Sequence, residues 1–77
     1  MKTKMAEFVT ERRKRYGLTQ RELASKAGVG LRFIRDLEQG KATLRLDKAN
    51  QVLAMFGHRL EPVPFRPLEE EKTDAKG

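Results

Sequence analysis

The chain is short and basic: it has 77 residues, a formal net charge of +6 and a sequence pI near 10.1. A chain of this size buries about 60% of its extended-chain surface, so we expect one small domain with a thin core. The absence of cysteine excludes disulfides and thiolate metal sites, and a single histidine, His58, argues against a metal site built from protein side chains alone. We therefore expect neither a metal, a cofactor nor a small-molecule ligand.

The positive charge is concentrated in the first 67 residues, where 15 Lys and Arg stand against 7 Asp and Glu. The last ten residues carry a net charge of −2. This balance favours a polyanionic partner. Because the chain has no long apolar run, no signal-peptide core and no aromatic-rich amphipathic face, we expect a soluble cytoplasmic protein with no membrane partner.

The first half of the chain carries clear helix boundaries. Apolar residues recur with a helical period over residues 5–16, and Gly17 follows, which predicts a first amphipathic helix that ends there. Thr19 and Glu22 have the spacing of a capping box and predict the start of a second helix, which Gly28 ends.

A third helix is expected from Gly30 to Gln39, and Gly40 closes it. A fourth helix is either capped by Asp47 or begins slightly earlier, and Gly57 ends it. Its apolar positions are Leu46, Ala49, Val52, Leu53 and Phe56. In residues 58–66 apolar and polar side chains alternate in part and two prolines are present, which predicts a short edge strand. The charged composition of residues 67–77 predicts a disordered tail.

The size pattern within residues 19–40 indicates a helix-turn-helix unit, whose second helix enters a DNA major groove. Ala24 is small where two helices cross, Gly28 suits a turn that needs a positive φ, and Ile34 fills the space between the helices. Leu23, Val29 and Leu37 complete this core. The alternative is an ordinary helical hairpin with the same glycine and alanine. No catalytic triad, glycine-rich phosphate loop or buried carboxylate pair is visible, so we do not expect an enzyme.

The stretch TQRELASKAGVGLRFIRDLEQGK resembles the XRE-type helix-turn-helix proteins related to the lambda and 434 repressors. The likeness extends back through ERRKRYGL and forward through TLRLDKANQVLAMFG, and so covers residues 5–66. Within that family, GVGLRFIRDLEQGK is similar to the HipB-type antitoxins. The resemblance implies an all-α fold: a compact bundle of four to five helices, with the DNA-binding domain in residues 1–57 and a short C-terminal β-strand in residues 58–66.

The same resemblance implies the partners. It implies a homodimer that binds a palindromic double-stranded operator and represses its own operon, and a HipA-like serine/threonine kinase toxin, in some systems with a small third protein. The strand would pair across the dimer twofold through Arg59, Leu60, Glu61 and Val63. One alternative is a stand-alone repressor, of host or phage, with no toxin. Another is a protein-interaction module whose basic face binds acidic protein surfaces.

The third helix carries the candidate base-reading residues, Leu31, Arg32, Arg35 and Asp36. Arg32 and Arg35 lie on one helical face and either read guanine or contact phosphate. Asp36 either accepts from cytosine or orients an arginine. Leu31 stands with Phe33 where related repressors carry Gln or Ser, and it either contacts a thymine methyl or packs against the partner strand.

Candidate phosphate contacts lie at two helix starts and in a basic loop: Thr19, Gln20, Arg21, Gly30, Lys41, Thr43 and Arg45. Thr19 is also the expected helix cap, and the loop cations have the alternative of remaining solvated. Arg13 and Glu38 match an ion pair that joins the first and third helices in 434-type repressors, which the resemblance makes structural; Arg12 is the alternative to Arg13.

Overall fold

The computed structural model describes residues 2–66, which contain four α-helices. These are α1 (Lys4–Arg15), α2 (Gln20–Ala27), α3 (Leu31–Glu38) and α4 (Leu46–Ala54). The all-α prediction is confirmed for this part of the chain, with four helices rather than five. The tail predicted for residues 67–77 lies outside the described residues.

Side-chain caps set the starts of the first two helices. The Thr3 hydroxyl accepts from the backbone N–H of Ala6 at 3.0 Å, so α1 begins at Lys4. The predicted capping box opens α2: the N–H of Glu22 donates to the Thr19 hydroxyl at 3.0 Å, and the N–H of Thr19 donates to the Glu22 carboxylate at 2.8 Å. Both caps satisfy amides that have no partner within their helix.

The chain turns between α2 and α3 at Gly28, whose φ is +77°. This left-handed conformation lets the N–H of Val29 reach back to the carbonyl of Ala24 at 3.0 Å, the bond that closes a Schellman motif. A side chain with a Cβ adopts that conformation only with strain. The predicted turn is therefore present, and it directs the chain into α3 within three residues.

A single apolar core lies between the helices, and Ala24 lies in it as the small residue of α2. Its buried members are Ala6, Val9, Leu23, Ala24, Ile34, Leu37, Ala49, Val52, Leu53 and Phe56. α4 begins at Leu46, with Arg45 before it, so the earlier of the two predicted starts is the observed one and Asp47 lies in the first turn. Leu46 was expected on the apolar face, but it is 70% exposed because it opens the helix at its solvent side.

The predicted C-terminal strand is not supported, since no residue from 2 to 66 lies in a strand. The backbone after Gly57 is irregular, and Pro62 and Pro64 offer no N–H to a ladder. Two backbone N–H groups anchor the start of this segment: that of His58 donates to the Leu53 carbonyl at 3.0 Å, and that of Leu60 donates to the Asn50 side-chain carbonyl at 2.7 Å. Pairing in this segment would therefore require a second chain.

Candidate nucleic-acid interface

The two faces of α3 differ sharply in burial. Ile34 and Leu37 are fully packed in the core, whereas Arg32 and Arg35 are exposed. Since residues three apart share a helical face, the two guanidinium groups leave the same side of α3. Neither forms an ion pair with another residue of the described chain. The structure thus brings these two predicted base-reading residues together on an open surface.

The other two predicted base-reading residues are partly engaged elsewhere. Leu31 is half-buried and packs against the core. The carboxylate of Asp36 lies 3.6 Å from the ammonium group of Lys41. Within the described residues, the charge partner of Asp36 is therefore Lys41 of the following loop, and no ion pair joins Asp36 to Arg32 or Arg35.

Sequence reasoning missed one residue of this surface, Gln39. It is exposed directly after α3, and its N–H donates to the Arg35 carbonyl at 3.0 Å, which continues the helical turn. It lies four residues after Arg35 and seven after Arg32, so it shares their face. The helical period places Gln39 on this face, but the absence of a charge leaves no compositional signal for it.

The starts of α2 and α3 present a second polar surface. Gly30, before α3, and Arg21, in the first turn of α2, are exposed. The Thr19 hydroxyl accepts from Glu22 and keeps its own proton for another acceptor. Gln20 was predicted to donate to a phosphate, but its amide donates to the Glu38 carboxylate at 3.0 Å. Only its second amide proton remains for a further contact.

Glu38 is the centre of a network that fixes α3. Arg13 binds both of its carboxylate oxygens, with Nε donating at 2.7 Å and Nη2 at 3.0 Å. Arg13 Nη1 also donates to the Leu18 carbonyl at 2.9 Å, so one guanidinium joins α1, the chain before α2, and α3. Lys2 adds a bond from its ammonium group to the Glu38 backbone carbonyl at 2.6 Å. The network holds the exposed face of α3 in one orientation relative to the rest of the domain.

Two opposing effects act on the pKa of Glu38. Burial by itself would raise the pKa, since it disfavours the charged carboxylate. The hydrogen bonds from Arg13 and Gln20 and the positive charge of Arg13 together outweigh burial, and the pKa lies below its usual value. Glu38 is therefore ionised at neutral pH.

The loop between α3 and α4 carries the remaining predicted phosphate contacts. Lys41, Thr43 and Arg45 are all exposed. Arg45 binds the carboxylate of Asp47, with Nη2 donating at 2.7 Å, and this hydrogen bond lowers the pKa of Asp47. Exposed pairs of this kind are weak, so an incoming phosphate competes readily for the Lys41 and Arg45 side chains.

A further residue that the sequence did not single out, Gln51 of α4, stabilises the turn. Its amide nitrogen donates to the backbone carbonyls of Ala27 at 3.1 Å and Gly28 at 3.3 Å. These carbonyls belong to the last residue of α2 and to its C-cap, and they would otherwise depend on water. Through Gln51, α4 fixes the turn that leads into α3.

No helix within residues 2–66 is long and apolar enough to cross a membrane. Within the same range, no group of three or more acidic, His or Cys side chains is arranged to hold a metal ion.

The geometry of two short helices, a glycine turn and an exposed basic face agrees with the comparisons to known proteins. The helix-turn-helix family model matches residues 9–61, most of the chain. The chain belongs to the helix-turn-helix family. The matched region runs from the middle of α1 to the segment after α4, and so it includes α2, the turn and α3.

Two relatives are similar to this chain. One, from Sinorhizobium fredii, is named an uncharacterized HTH-type transcriptional regulator, y4mF; it is 58% identical over 45 residues, which cover 58% of this chain and 59% of that protein. The other, from Archaeoglobus fulgidus, is also named an uncharacterized HTH-type transcriptional regulator. It is 41% identical over 61 residues, which cover 79% of this chain and 81% of that protein.

Proposed function

We propose that this helix-turn-helix protein is a non-catalytic, sequence-specific DNA-binding repressor that binds a palindromic operator as a homodimer in the cytoplasm. The observation that carries the proposal is the exposed pair Arg32 and Arg35 on a helix whose other face is locked into the core. Arginine binds guanine O6 and N7 with two hydrogen bonds, and a helix-turn-helix places its second helix in the major groove.

The surfaces beside α3 supply the electrostatic part of this proposal. Arg21 is exposed in the first turn of α2, and Lys41 and Arg45 are exposed in the loop that follows α3. Phosphate contacts set the register of a protein on DNA and contribute much of the affinity, without reading sequence. We assign these cations to the DNA backbone and the arginines of α3 to base edges.

We infer dimerisation from the small number of base pairs that one copy can distinguish. Two arginines per chain distinguish only a few base pairs. A twofold dimer presents two α3 helices one DNA turn apart, about 34 Å, and so doubles the length of the recognised site. The exposed segment with Arg59, Glu61 and Val63, and the half-buried Leu60, is the part of the chain that we assign to the dimer contact.

We further propose that the protein acts as the antitoxin of a HipA-like serine/threonine kinase, with a small third protein in split systems. The support is the resemblance of GVGLRFIRDLEQGK to HipB-type antitoxins. Co-expression with the product of a neighbouring kinase-like gene, followed by size exclusion, is the test. Independent elution of the two proteins would leave the stand-alone repressor, of host or phage, as the function.

DNA recognition is tested with a site selected from a random duplex library and bound in a fluorescence anisotropy titration. Arg32→Ala should weaken binding to the selected site by about 5- to 150-fold, the loss of one bidentate base contact. Binding to unrelated DNA should change much less. Arg15→Ala removes an exposed arginine of α1 outside the helix-turn-helix and is the matched control. Equal losses on both DNAs would assign Arg32 to phosphate, and failure to select any site at low salt would refute the proposal.

A further inference from the structure

An apolar groove runs between the start of α1 and the segment after α4. It is lined by Lys4, Met5, Phe8, Leu53, His58, Arg59 and Leu60. The Phe8 ring in its wall lies 4.6 Å from the His58 ring and packs edge-on against Phe56 at 6.4 Å, both measured between ring centroids. Because Phe8 is held on two sides, the groove is a preformed surface. The proposed base and phosphate contacts do not include its lining residues.

The segment that leaves this groove carries two large apolar side chains with no cover. Val63 is 75% exposed and Phe65 is 83% exposed. They lie two residues apart on a segment that is neither helix nor strand. Exposed apolar side chains next to an apolar groove are typical of an interaction surface.

The segment cannot return to the groove of its own chain. Leu60 already lines the groove, and Pro62 and Pro64 fix their own φ and keep the preceding residues, Glu61 and Val63, extended. At about 3.1 Å per residue, an extended chain carries Phe65 about 15 Å away from Leu60. A second copy has no such restriction.

We propose that two copies exchange these segments, so that each groove receives the partner's Val63 and the partner's Phe65. Leu60 both lines the groove and begins the segment, which places groove and segment side by side. A twofold axis there makes the exchange reciprocal, as in an isologous interface. Arg59 on the rim already pairs with Glu61 of its own chain, so we assign the exchange to apolar contact and not to charge. The inference rests on the dimer of the proposed function and deepens it.

Cysteine cross-linking tests the exchange directly, because the chain has no native cysteine. Met5→Cys is placed on one copy and Phe65→Cys on a copy with a different mass tag, and the mixture is oxidised. We expect the Met5–Phe65 heterodimer to cross-link at least about ten times faster than a control pair of Leu46→Cys with Phe65→Cys, since Leu46 is exposed on α4, away from the groove. Equal rates for the two pairs would overturn the exchange.

A second measurement does not depend on cysteine chemistry. The double variant Val63→Asp with Phe65→Asp alters only exposed side chains, so it should keep the helical circular dichroism of the parent chain. Its dimer dissociation constant in sedimentation velocity should rise at least about tenfold, whereas Leu46→Asp should leave it unchanged. A dimer that persists in the double variant overturns the exchange and leaves the proposed operator dimer standing. A parent chain that is monomeric while it still binds its selected DNA overturns the exchange and the dimer, but not DNA recognition.

Discussion

Glu38 is the one charged residue buried within residues 2–66, and it stabilises the domain through its pair with Arg13. Glu38→Gln leaves the Arg13 guanidinium without its counter-charge in a partly buried site. We expect the free energy of unfolding to fall by about 2–4 kcal/mol at neutral pH. Urea denaturation followed by circular dichroism measures it.

The matched control is Glu11→Gln, which removes an exposed carboxylate that pairs with Arg12 and with the exposed Arg15. That change should stay within about 0.5 kcal/mol. Similar losses in both variants would show that the network around Glu38 contributes no more than a surface pair.

The lowered pKa of Glu38 also predicts how stability depends on pH. In the unfolded chain the carboxyl titrates near 4.5, and in the folded chain it titrates lower. The stabilisation is therefore complete above pH 4.5 and is lost as the pH falls through the folded pKa. Unfolding curves measured from pH 6 downward should show this loss in the parent chain and a weaker loss in Glu38→Gln. A parallel pH dependence in both would assign the acid sensitivity to other carboxylates.

For individual residues, the sequence predicted the positions of charged side chains better than it predicted their contacts. The resemblance supplied the pair Arg13 and Glu38, and the helical period placed Arg32 and Arg35 on one face. The bonds from Gln20 and Lys2 to Glu38 were not predictable, because they depend on how α2 and the N-terminal residues lie against α3. No local pattern contains that information.

Among the secondary-structure elements and turns, the turn between α2 and α3 depends most on a single residue, Gly28. Gly28 has φ +77°, and a Cβ there would lie 3.4 Å from the Gln51 amide nitrogen. Gly28→Ala should therefore destabilise the domain by about 1–2 kcal/mol. Thermal unfolding measures this change.

Gly30 provides the control two residues later. Its φ is −78° and a Cβ there would meet nothing within 4 Å. Gly30→Ala should be neutral or stabilise by up to about 1 kcal/mol, because it restricts the unfolded chain. Equal destabilisation by the two substitutions would contradict a role for the left-handed conformation.

The helix boundaries were predictable where the signal is local. The capping box at Thr19 and Glu22 and the glycine after α2 fix their elements within a few residues of sequence. The C-terminal strand was not, since a strand is defined by its hydrogen-bonded partner and residues 58–66 have none in one chain. Whether this segment pairs depends on contacts with a second copy, and no local pattern in the sequence specifies them.

At the scale of the whole molecule, the net charge of +6 predicts DNA binding that weakens steeply with salt. The slope of log K against log salt reports how many cations of the protein contact phosphates, and not how many cations the chain carries. Arg45 and Lys41 each lie beside a carboxylate, from Asp47 and Asp36, so in the free protein their charges are partly balanced. Binding must exchange these carboxylates for phosphates.

That exchange predicts opposite effects for the two members of one pair. Arg45→Ala should lower the slope of log K against log salt by about 1, equally on selected and unrelated DNA. Asp47→Asn should instead tighten binding at low salt, by at most about fivefold, because it releases an exposed pair. Both are measured by anisotropy titration over a range of salt concentrations, with Arg15→Ala as the control that should leave the slope unchanged. An unchanged slope in Arg45→Ala would show that Arg45 does not contact a DNA phosphate. Weaker binding in Asp47→Asn would mean that the Asp47 carboxylate positions Arg45 for its phosphate instead of competing with it.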